Sequence, residues 1–503
     1  MKTVIKCCIW LVVAYFATTN IARSQQPKSP LKVLFVGYDP SQPMPVFKNR
    51  YPGEMTDVGF AAQYPVRMPA FKALLDQYFT VVATIDCRDW KPKDSDPYDV
   101  TIFDFKPAAL EPSRQEKKAN GEVDYIAARY LPDNFSKPVI FIASTAGEMG
   151  ERIGLKLDWL CLCLDADAHH LNTHHAIFNG PLEKVTPTLE MKQTPAGIYE
   201  YTTGNTVPKQ IPMWRVQKTG YLDSKDCRVG LVSRGNRFTD SPDAEVISSG
   251  VCQKDVGAVA LGRHGNFFLW GFSASPADMT DVAKKVFVNT VAYMKQFDGK
   301  IPIARKYNER MATTNDVKEI IACATKEKYM AEVKMLNDFN DARKKQKKVV
   351  TEKLAAGQEL TFEEKQMQPY LDALEPIPSW EDYLKQTMGP LAGQFGTDVA
   401  AYQQYMKENF DYLYCDPQGF FTYSVDNDAK KIGVPNHNIQ FLATCISMLQ
   451  HNDQPDLALK MLKKYTAQDF TTPGEWHSWF EQNKKKIFFT ETGGYKFLVN
   501  TYN

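Results

Sequence analysis

The sequence contains none of the short motifs that mark several large enzyme classes. It has no GxSxG turn, no GxGxxG or GxxxxGK[ST] phosphate loop and no HExxH helix. Because each of these motifs places a nucleophile, a phosphate or a zinc ion, α/β-hydrolase, dinucleotide-binding, P-loop and zincin chemistry all lack their physical signature. The ten cysteines include no CxxC pair, so structural zinc, haem attachment and thioredoxin-like chemistry are also unsupported.

An excess of charge of one sign is missing as well, because 60 lysines and arginines balance 59 aspartates and glutamates to a formal net charge of +1. Without an overall positive field, the chain is not expected to bind nucleic acid or an anionic membrane surface. No segment approaches the ~20 consecutive apolar residues that a membrane-spanning helix requires. We therefore expect no membrane span.

A shorter apolar run lies near the beginning of the chain. The run Cys7–Ala17 follows two lysines, and Ala22 and Ser24 then occupy the −3 and −1 positions that signal peptidase accepts before Gln25. This pattern predicts a signal peptide over residues 1–24 and a secreted or periplasmic protein. Disulfides are permitted in such a compartment.

Removal of the signal peptide would leave eight cysteines. In a chain of 503 residues most of them are expected to be buried thiols that pack as small apolar groups. Cys227 and Cys252 flank segments that read as paired strands. We expect this pair to form the disulfide, if the protein has one.

Five short apolar runs in the first third of the chain predict strands that are buried on both faces. Continuous apolarity is typical of parallel sheets whose faces are covered by helices, and helical patterns separate several of the runs. One such helix is predicted over residues 122–130, before the fourth run. The runs are Val33–Tyr38, Val81–Ile85, Val100–Phe105, Val139–Ala143 and Leu160–Leu164. The fold class is therefore α/β, with a mostly parallel, doubly wound, flavodoxin-like sheet.

Beyond residue 211 the pattern changes to strands joined by turns. The segments Val256–Leu261 and Phe267–Phe272 flank a Gly-Asn turn and predict an antiparallel hairpin at the edge of the sheet. The α/β domain is predicted over residues 27–298. A charged helical linker over 299–379 and a smaller α+β domain over 380–503 should follow it.

In an open parallel sheet, ligands bind beyond the carboxyl ends of the strands. Asp39 follows the first predicted strand and Glu148 follows the fourth, so both are candidate general bases. Several other carboxylates follow these strands, and their mutual repulsion would have to be relieved by a cation, an arginine or a polyhydroxylated ligand. His264, in the predicted hairpin turn, is a third catalytic candidate if folding brings it to the same edge.

The densest cluster of polar side chains is Asp165–His175, which contains half of the eight histidines. In an extended segment, alternate residues share one face, and in a following helix two histidines four residues apart share another. Mixed imidazole and carboxylate ligands suit Zn, Mn, Fe or Ni. We therefore predict a divalent transition-metal site here, although the same residues could serve as ordinary loop and packing groups. The candidate ligands are Asp165, Asp167, His169, His170, His174 and His175.

Two segments resemble a known family. The stretch Thr173–Leu182, which reads THHAIFNGPL, and the strand–turn–strand Val256–Phe272 resemble the ThuA-like (trehalose utilisation) branch of the class I glutamine-amidotransferase-like superfamily. The resemblance covers about residues 30–298. It implies the amidotransferase fold and a carbohydrate-related context.

The sequence departs from that family at the position that matters for catalysis. Amidotransferases place a cysteine in a G-x-C-x-G turn after a central strand, whereas the corresponding segment Ile142–Gly147 offers Ser144 at best. His175 matches the His of the branch's His-Pro step, but Ala176 follows it. The resemblance therefore transfers no catalytic residue, and glutamine hydrolysis is not expected.

Three functions remain open from the sequence. The first is a secreted protein that binds a carbohydrate or a related polar ligand at the strand edge without a cysteine nucleophile. The second is a metal-dependent hydrolase or isomerase that uses the Asp165–His175 cluster. The third is a structural component of an envelope complex, which an exposed apolar face at Trp476–Phe480 would favour.

Overall fold

The computed structural model describes most of the chain. It covers residues 27–48, 51–117, 121, 123–156, 161–195, 198, 207–235, 238–306, 312–415 and 422–502. The predicted signal peptide over residues 1–24 lies outside the described residues. Within the described ranges, no helix is both long enough and apolar enough to cross a membrane.

The first part of the chain alternates strands and helices before it becomes richer in strands. Its strands are β1 (Ser29–Gly37), β2 (Phe79–Asp86), β3 (Val100–Phe103), β4 (Arg114–Lys117), β5 (Val123–Ile126), β6 (Val139–Ile142), β7 (Cys161–Leu164), β8 (Asp167–His169), β9 (Glu190–Gln193), β10 (Gln210–Arg215), β11 (Gly230–Val232), β12 (Ala244–Gly250), β13 (Val259–His264) and β14 (Phe267–Trp270). Its helices are α1 (Asp57–Gln63), α2 (Arg67–Leu75), α3 (Thr145–Gly150), α4 (Ala176–Asn179) and α5 (Asp281–Met294).

Ten of these strands form one mixed sheet in the order β2-β1-β3-β6-β14-β13-β12-β8-β10-β9. The first five are parallel, with Val33 of β1 opposite Val100 of β3 and Phe141 of β6 opposite Leu269 of β14. All later neighbours in the order are antiparallel. Numbered along the chain, the parallel strands have the order 2-1-3-4-5, which is one of the two common orders of doubly wound sheets.

The predicted mostly parallel sheet with an edge hairpin is therefore correct only in part. The hairpin β13–β14 lies in the middle of the sheet, because β14 pairs with β6 while β13 pairs with β12 and continues the antiparallel half. Strands β8, β10 and β9 extend that half further. Short strands with few apolar residues, such as Glu190–Gln193, gave no signal of this extension.

Two local predictions are wrong. The described part of the predicted helix over residues 122–130 contains β5, whose valine, tyrosine and isoleucine suit a strand and which pairs with β4. The fifth apolar run is not a strand of the main sheet, since β7 pairs antiparallel with β11 in a separate two-stranded sheet. Leu160, its first predicted residue, lies outside the described ranges.

Helices cover both faces of the sheet. On one face, Phe71 of α2 and Phe287 of α5 pack in a cluster with Phe35 and Ile102 of the parallel strands. On the other face, Phe60 of α1 and the α3 segment pack against Val36, Phe103 and Phe141. The alternate residues of β1 and β3 thus enter opposite clusters, as the two-residue period of a strand requires.

The later part of the chain is mainly helical. Its helices are α6 (Thr314–Cys323), α7 (Lys326–Ala355), α8 (Phe362–Met367), α9 (Trp380–Met388), α10 (Ala392–Phe395), α11 (Val399–Asn409), α12 (Asn427–Ile432), α13 (Ile439–Gln450), α14 (Pro455–Tyr465) and α15 (Pro473–Asn483). Two strand pairs accompany them, β15 (Leu413–Tyr414) with β16 (Ser424–Val425), and β17 (Ile487–Thr490) with β18 (Lys496–Val499). The helices of the predicted linker are therefore present, whereas the proposed domain boundaries stay a prediction.

The turn between β17 and β18 contacts the first part of the chain. Asp240 accepts hydrogen bonds from Thr490 Oγ1 at 3.0 Å and from the backbone N–H of Thr492 at 2.8 Å. The same carboxylate forms an ion pair with Lys156, whose side chain is fully buried. A charged and hydrogen-bonded contact therefore joins the terminal hairpin to the α/β sheet.

Candidate functional site

The turn that follows β6 has an unusual backbone. Ala143 has a φ of +52°, in the left-handed region, and α3 begins two residues later. A non-glycine residue in that region is strained, and such strain is concentrated at functional turns, including the strand-to-helix turns that carry nucleophiles. Here the strained residue carries only a buried methyl group. The predicted substitute, Ser144, is the next residue, with helical dihedral angles.

A buried cluster of charges lies beside this turn, at the carboxyl end of β3. Asp104 binds two guanidinium groups: Arg67 donates through both Nε and Nη2 at 2.7 Å, and Arg228 donates through Nη1 at 2.8 Å. All three residues are less than 5% exposed. Arg228 also donates to Ser144 Oγ at 3.2 Å and to the backbone carbonyl of Ile142 at 3.3 Å. The cluster fixes the turn to the neighbouring strands.

The cluster contains two positive charges and one negative charge. Burial lowers the pKa of Arg228 to about 10, and the like charge of Arg67 adds to that effect against the attraction of Asp104. Arg228 is therefore still charged at neutral pH. Its guanidinium lies 4.5 Å from the centre of the Phe105 ring, which offers a further favourable electrostatic contact.

Asp39, a predicted general base, lies at the same edge of the sheet. Its backbone N–H donates to Asp86 Oδ2 at 2.8 Å, and its own carboxylate accepts from the backbone N–H of Ser41 at 2.8 Å. Arg88 donates to both oxygens of Asp86 at 2.8 Å. Burial opposes the charge of Asp86, but the hydrogen bonds from Arg88 and Asp39 outweigh it and lower the pKa of that carboxyl.

Glu148, the second predicted base, projects from α3 and is exposed. Its Oε1 lies 3.2 Å from Nζ of Lys106, which follows β3. Burial disfavours the charge on Lys106, but the Glu148 carboxylate and the Tyr130 hydroxyl outweigh it and raise the pKa of the ammonium. The pair therefore presents two opposite charges to solvent beside the turn at Ala143.

Aromatic rings line the remaining side of this edge. Tyr38, at the end of β1, lies 4.7 Å from Phe105 and 5.7 Å from Phe60 between ring centres. Phe47 and Tyr51 lie 5.5 Å from the same Phe60 ring. Tyr38, Phe47 and Tyr51 are half-buried, so part of each ring faces solvent.

His264 lies at the amino ends of the parallel strands. It therefore does not meet Asp39 or Glu148, which lie beyond their carboxyl ends. It pairs with Phe267, which pairs in turn with Val139, the first residue of β6. The imidazole is buried: Nδ1 accepts from the backbone N–H of Lys156 at 3.1 Å, and Nε2 lies 3.5 Å from Asp243. Burial lowers its pKa despite the nearby carboxylate. His264 was a candidate only if folding brought it to the same edge, and it does not lie there, because β13 runs antiparallel to the strands that precede Asp39 and Glu148.

The predicted metal ligands are spread over different surroundings. Asp167 is buried and forms ion pairs with Lys192 at 2.7 Å and with Arg215 at 3.2 Å. The Asp165 carboxylate is half-buried and accepts from the backbone N–H of Leu222 at 3.4 Å. Lysine and arginine thus occupy the place that a cation would take beside Asp167.

The four histidines do not converge either. Nδ1 of His169 contacts Nδ1 of His170 at 2.7 Å, and burial lowers the pKa of His169 to about 4. His174 is exposed, whereas His175 caps α4 and lies 3.5 Å from Glu245. Among the described residues, no group of three His, Cys, Asp or Glu side chains is arranged to hold a metal ion.

The expected disulfide between Cys227 and Cys252 is wrong. Cys227 and Cys252 are free thiols, and the disulfide joins Cys161 to Cys163. Trp476 is fully buried, in a core cluster with helices α13 and α14. Trp479 and Phe480 of the same helix, α15, are half-buried.

Sequence reasoning missed the two arginines at the edge and the strained residue. Asp104 is one of the carboxylates near the ends of the predicted strands, whose repulsion indicated a cation, an arginine or a polyhydroxylated ligand. Arg67 begins helix α2, and Arg228, which lies 161 residues later in the sequence, precedes strand β11. Only the folded chain brings them to one carboxylate.

Comparison with known proteins gives one structural likeness. No family model matches the sequence, and no curated protein matches it. Among solved structures, the chain resembles a protein described as ThuA-like from Bacteroides uniformis, with 10% sequence identity over 54% of this chain and 94% of that chain, at a TM-score of 0.28.

Proposed function

We propose that the domain predicted over residues 27–298 binds a polyhydroxylated ligand of the carbohydrate class at the carboxyl edge of its parallel strands, without forming a covalent intermediate. The observation that carries the proposal is the methyl group of Ala143 at the strained turn after β6. A nucleophile at that turn would need a hydroxyl or a thiol. The adjacent Ser144 hydroxyl is buried and accepts from Arg228 instead.

The polar and aromatic groups at the same edge support the class of ligand. Sugars offer flat C–H faces that stack on aromatic rings and hydroxyls that both donate and accept hydrogen bonds. The half-buried rings of Tyr38, Phe47 and Tyr51 supply the first kind of contact. The exposed Lys106–Glu148 pair supplies a donor and an acceptor beside them.

The buried arginines support a binding role more than a catalytic one. Each guanidinium is held by Asp104 and by backbone carbonyls, Ser273 O for Arg67 and Ile142 O for Arg228. These contacts occupy most of the donors that could otherwise stabilise a developing negative charge, and the remaining Nε of Arg228 is buried. The cluster therefore stabilises the loops that surround the ligand.

Calorimetric titration with a panel of glycans tests the proposal. The wild-type protein is expected to bind at least one member, and Glu148→Gln or Lys106→Ala should weaken that binding about tenfold through the loss of a hydrogen bond to the ligand. Lys385→Ala removes a similar exposed ion pair on α9 and serves as the control. No heat with any glycan, or equal affinities for all variants, would count against the proposal.

Analysis of the ligand after binding separates a binding protein from an enzyme. Mass spectrometry of a bound glycan recovered after long incubation is expected to show an unchanged mass. A hydrolysed or isomerised product that disappears with Glu148→Gln would instead assign catalysis to this edge.

The location of the protein is a further part of the proposal. The lysine-led apolar run and the small residues at 22 and 24 support export. Sequencing of the amino terminus is expected to show that the mature protein begins at Gln25. A protein that stays in the producing cells and keeps residues 1–24 would contradict export.

A further inference from the structure

Strand β7 contains a disulfide that spans a single residue. Cys161 and Cys163 are bridged, and their Cα atoms are 5.3 Å apart. In a regular strand, residues two apart are separated by about 6.6 Å, because each residue advances the chain by ~3.3 Å. The bridged form of β7 is therefore contracted relative to a regular strand.

The contraction coincides with an irregular pairing between β7 and β11. Gly230 lies opposite Leu164 and Leu231 lies opposite Leu162, so the register shifts by one residue at Cys163. The carbonyl of Cys163 accepts a hydrogen bond from the Tyr221 hydroxyl at 3.2 Å. Cys163 thus forms a bulge, in which two residues of one strand oppose one of the other.

A bridge of this kind contributes little as a structural staple. The stabilisation that a disulfide gives by restricting the unfolded chain grows with the length of the loop it closes, and this loop is among the shortest possible. Cys163 is also the more exposed of the two residues, on a strand whose only partner among the described residues is β11. Of the two cysteines, Cys163 is therefore the more accessible from solvent.

We propose that Cys161 and Cys163 form a reversible redox site whose oxidation state sets the register of β7 against β11. A thiolate of an external dithiol attacks Sγ of Cys163, the S–S bond breaks, and its electron pair leaves on Sγ of Cys161, which takes up a proton. The second thiol of the reductant then attacks the mixed disulfide and releases Cys163 as a thiol. The protein gains two electrons and two protons, and the dithiol becomes a disulfide.

The register connects this site to the binding edge. Arg228 lies two residues before β11, and the backbone N–H of Val229, between them, donates to the carbonyl of Gly53 at 2.9 Å. Leu231, opposite the bulge, donates to the carbonyl of Gly271 at 2.9 Å. Relaxing the bulge after reduction allows Leu231 to pair with Cys163 and loosens the segment that holds Arg228 against Asp104.

Titration of the purified full-length protein with dithiothreitol tests the proposal without any glycan. Alkylation and peptide mass spectrometry should show Cys161 and Cys163 bridged after air oxidation and both labelled after reduction under native conditions. Amide hydrogen exchange in Gly230–Val232 should then rise several-fold while far-UV circular dichroism is retained, and reoxidation should reverse the change.

Two cysteine variants serve as controls for this titration. The double variant Cys161→Ser/Cys163→Ser should exchange like reduced protein, and Cys323→Ser, which removes a distant free thiol, should respond like wild type. If the double variant fails to fold, reversible reduction of the wild type still decides. A pair that stays reduced in air, a bridge that opens only in denaturant, or unchanged exchange in Gly230–Val232 after reduction would each overturn the proposal.

Discussion

Two guanidinium groups share one carboxylate beneath the turn at Ala143, which makes Asp104 the residue that holds the binding edge together. A buried ion pair adds little net stability when intact, because desolvation of the charges offsets their attraction. Removal of one partner is different, since it leaves a buried charge without compensation. The loss of stability is greatest when the removed group pairs with two others, as Asp104 does.

We expect Asp104→Asn to lower the free energy of unfolding by about 3–5 kcal/mol, because both arginines would lose their counter-charge in a buried site. Urea unfolding followed by circular dichroism measures the change. The exposed carboxylate of Glu381, replaced by glutamine, provides the control and should change stability by less than about 0.5 kcal/mol. A loss below about 1 kcal/mol for Asp104→Asn would show that the cluster is not what holds the turn.

Asp86 should make stability depend on pH in a defined direction. Its pKa in the folded protein is lower than the ordinary value of 3.8, so the unfolded chain takes up the proton first. The stabilisation is complete above that ordinary value and is lost as the pH falls through the folded pKa. The difference in unfolding free energy between wild type and Asp86→Asn should therefore shrink in acid. Asp89→Asn, at an exposed neighbour, is the control, and a difference constant with pH would contradict this explanation.

At the scale of elements, the start of α5 depends on a threonine that bonds in two directions. Thr280 Oγ1 accepts from the backbone N–H of Ala283 at 3.2 Å and donates to the carbonyl of Arg215 at 3.1 Å. It is therefore both the N-cap of the helix and a link to β10. The helix that covers one face of the sheet is positioned by this residue.

Thr280→Ala is expected to cost about 1 kcal/mol of stability, the usual value for loss of an N-cap hydroxyl. Thr280→Ser keeps the hydroxyl and should recover most of that loss. Thermal unfolding of the three proteins measures both effects. Equal stability of the alanine and serine variants would show that the hydroxyl does not cap α5.

The parallel strands could be predicted from the sequence because their apolar runs are continuous and short, as Val100–Phe103 and Val139–Ile142 illustrate. Strands β8 and β9 of the antiparallel half could not, because Asp167–His169 and Glu190–Gln193 contain polar residues that read as loops. Their strand character comes from pairing with β10, which lies later in the chain. The local sequence of a strand does not indicate which distant strand it pairs with.

The candidate site was predictable to a similar degree. Asp39 and Glu148 were candidates because each follows a predicted parallel strand, and both lie beyond the carboxyl ends of these strands. His264 was a candidate only if folding brought it to the same edge, and it lies instead at the amino ends of the parallel strands, because β13 runs antiparallel to them. The strain at Ala143 had no signal at all, since alanine carries no preference for a left-handed turn.

At the scale of the whole molecule, one carboxylate joins the terminal hairpin to the α/β sheet. Asp240 binds the buried ammonium of Lys156 and two threonines of the terminal hairpin, Thr490 and Thr492. Arg234 and Asp316 form a further ion pair between the two parts, at 3.2 Å. The terminal hairpin is thus attached to the α/β sheet through polar contacts.

Asp240→Asn should loosen this attachment more than it weakens either part, because the remaining amide cannot neutralise Lys156. Amide hydrogen exchange in β17 and β18 is expected to rise, with little change in β1 and β3. Asp469→Asn, at an exposed ion pair elsewhere in the later part, should leave exchange unaltered. Uniform acceleration across the whole chain would indicate general destabilisation instead.

Amide hydrogen exchange of the full-length protein, with and without a saturating glycan identified by calorimetry, tests whether a carbohydrate binds at the carboxyl edge of the parallel strands. Binding at the carboxyl edge predicts protection of the segments after β1, β3 and β6, around Tyr38, Lys106 and Glu148. Protection confined to the histidine-rich segment 165–175 or to helix α15, with none at those three loops, would contradict it.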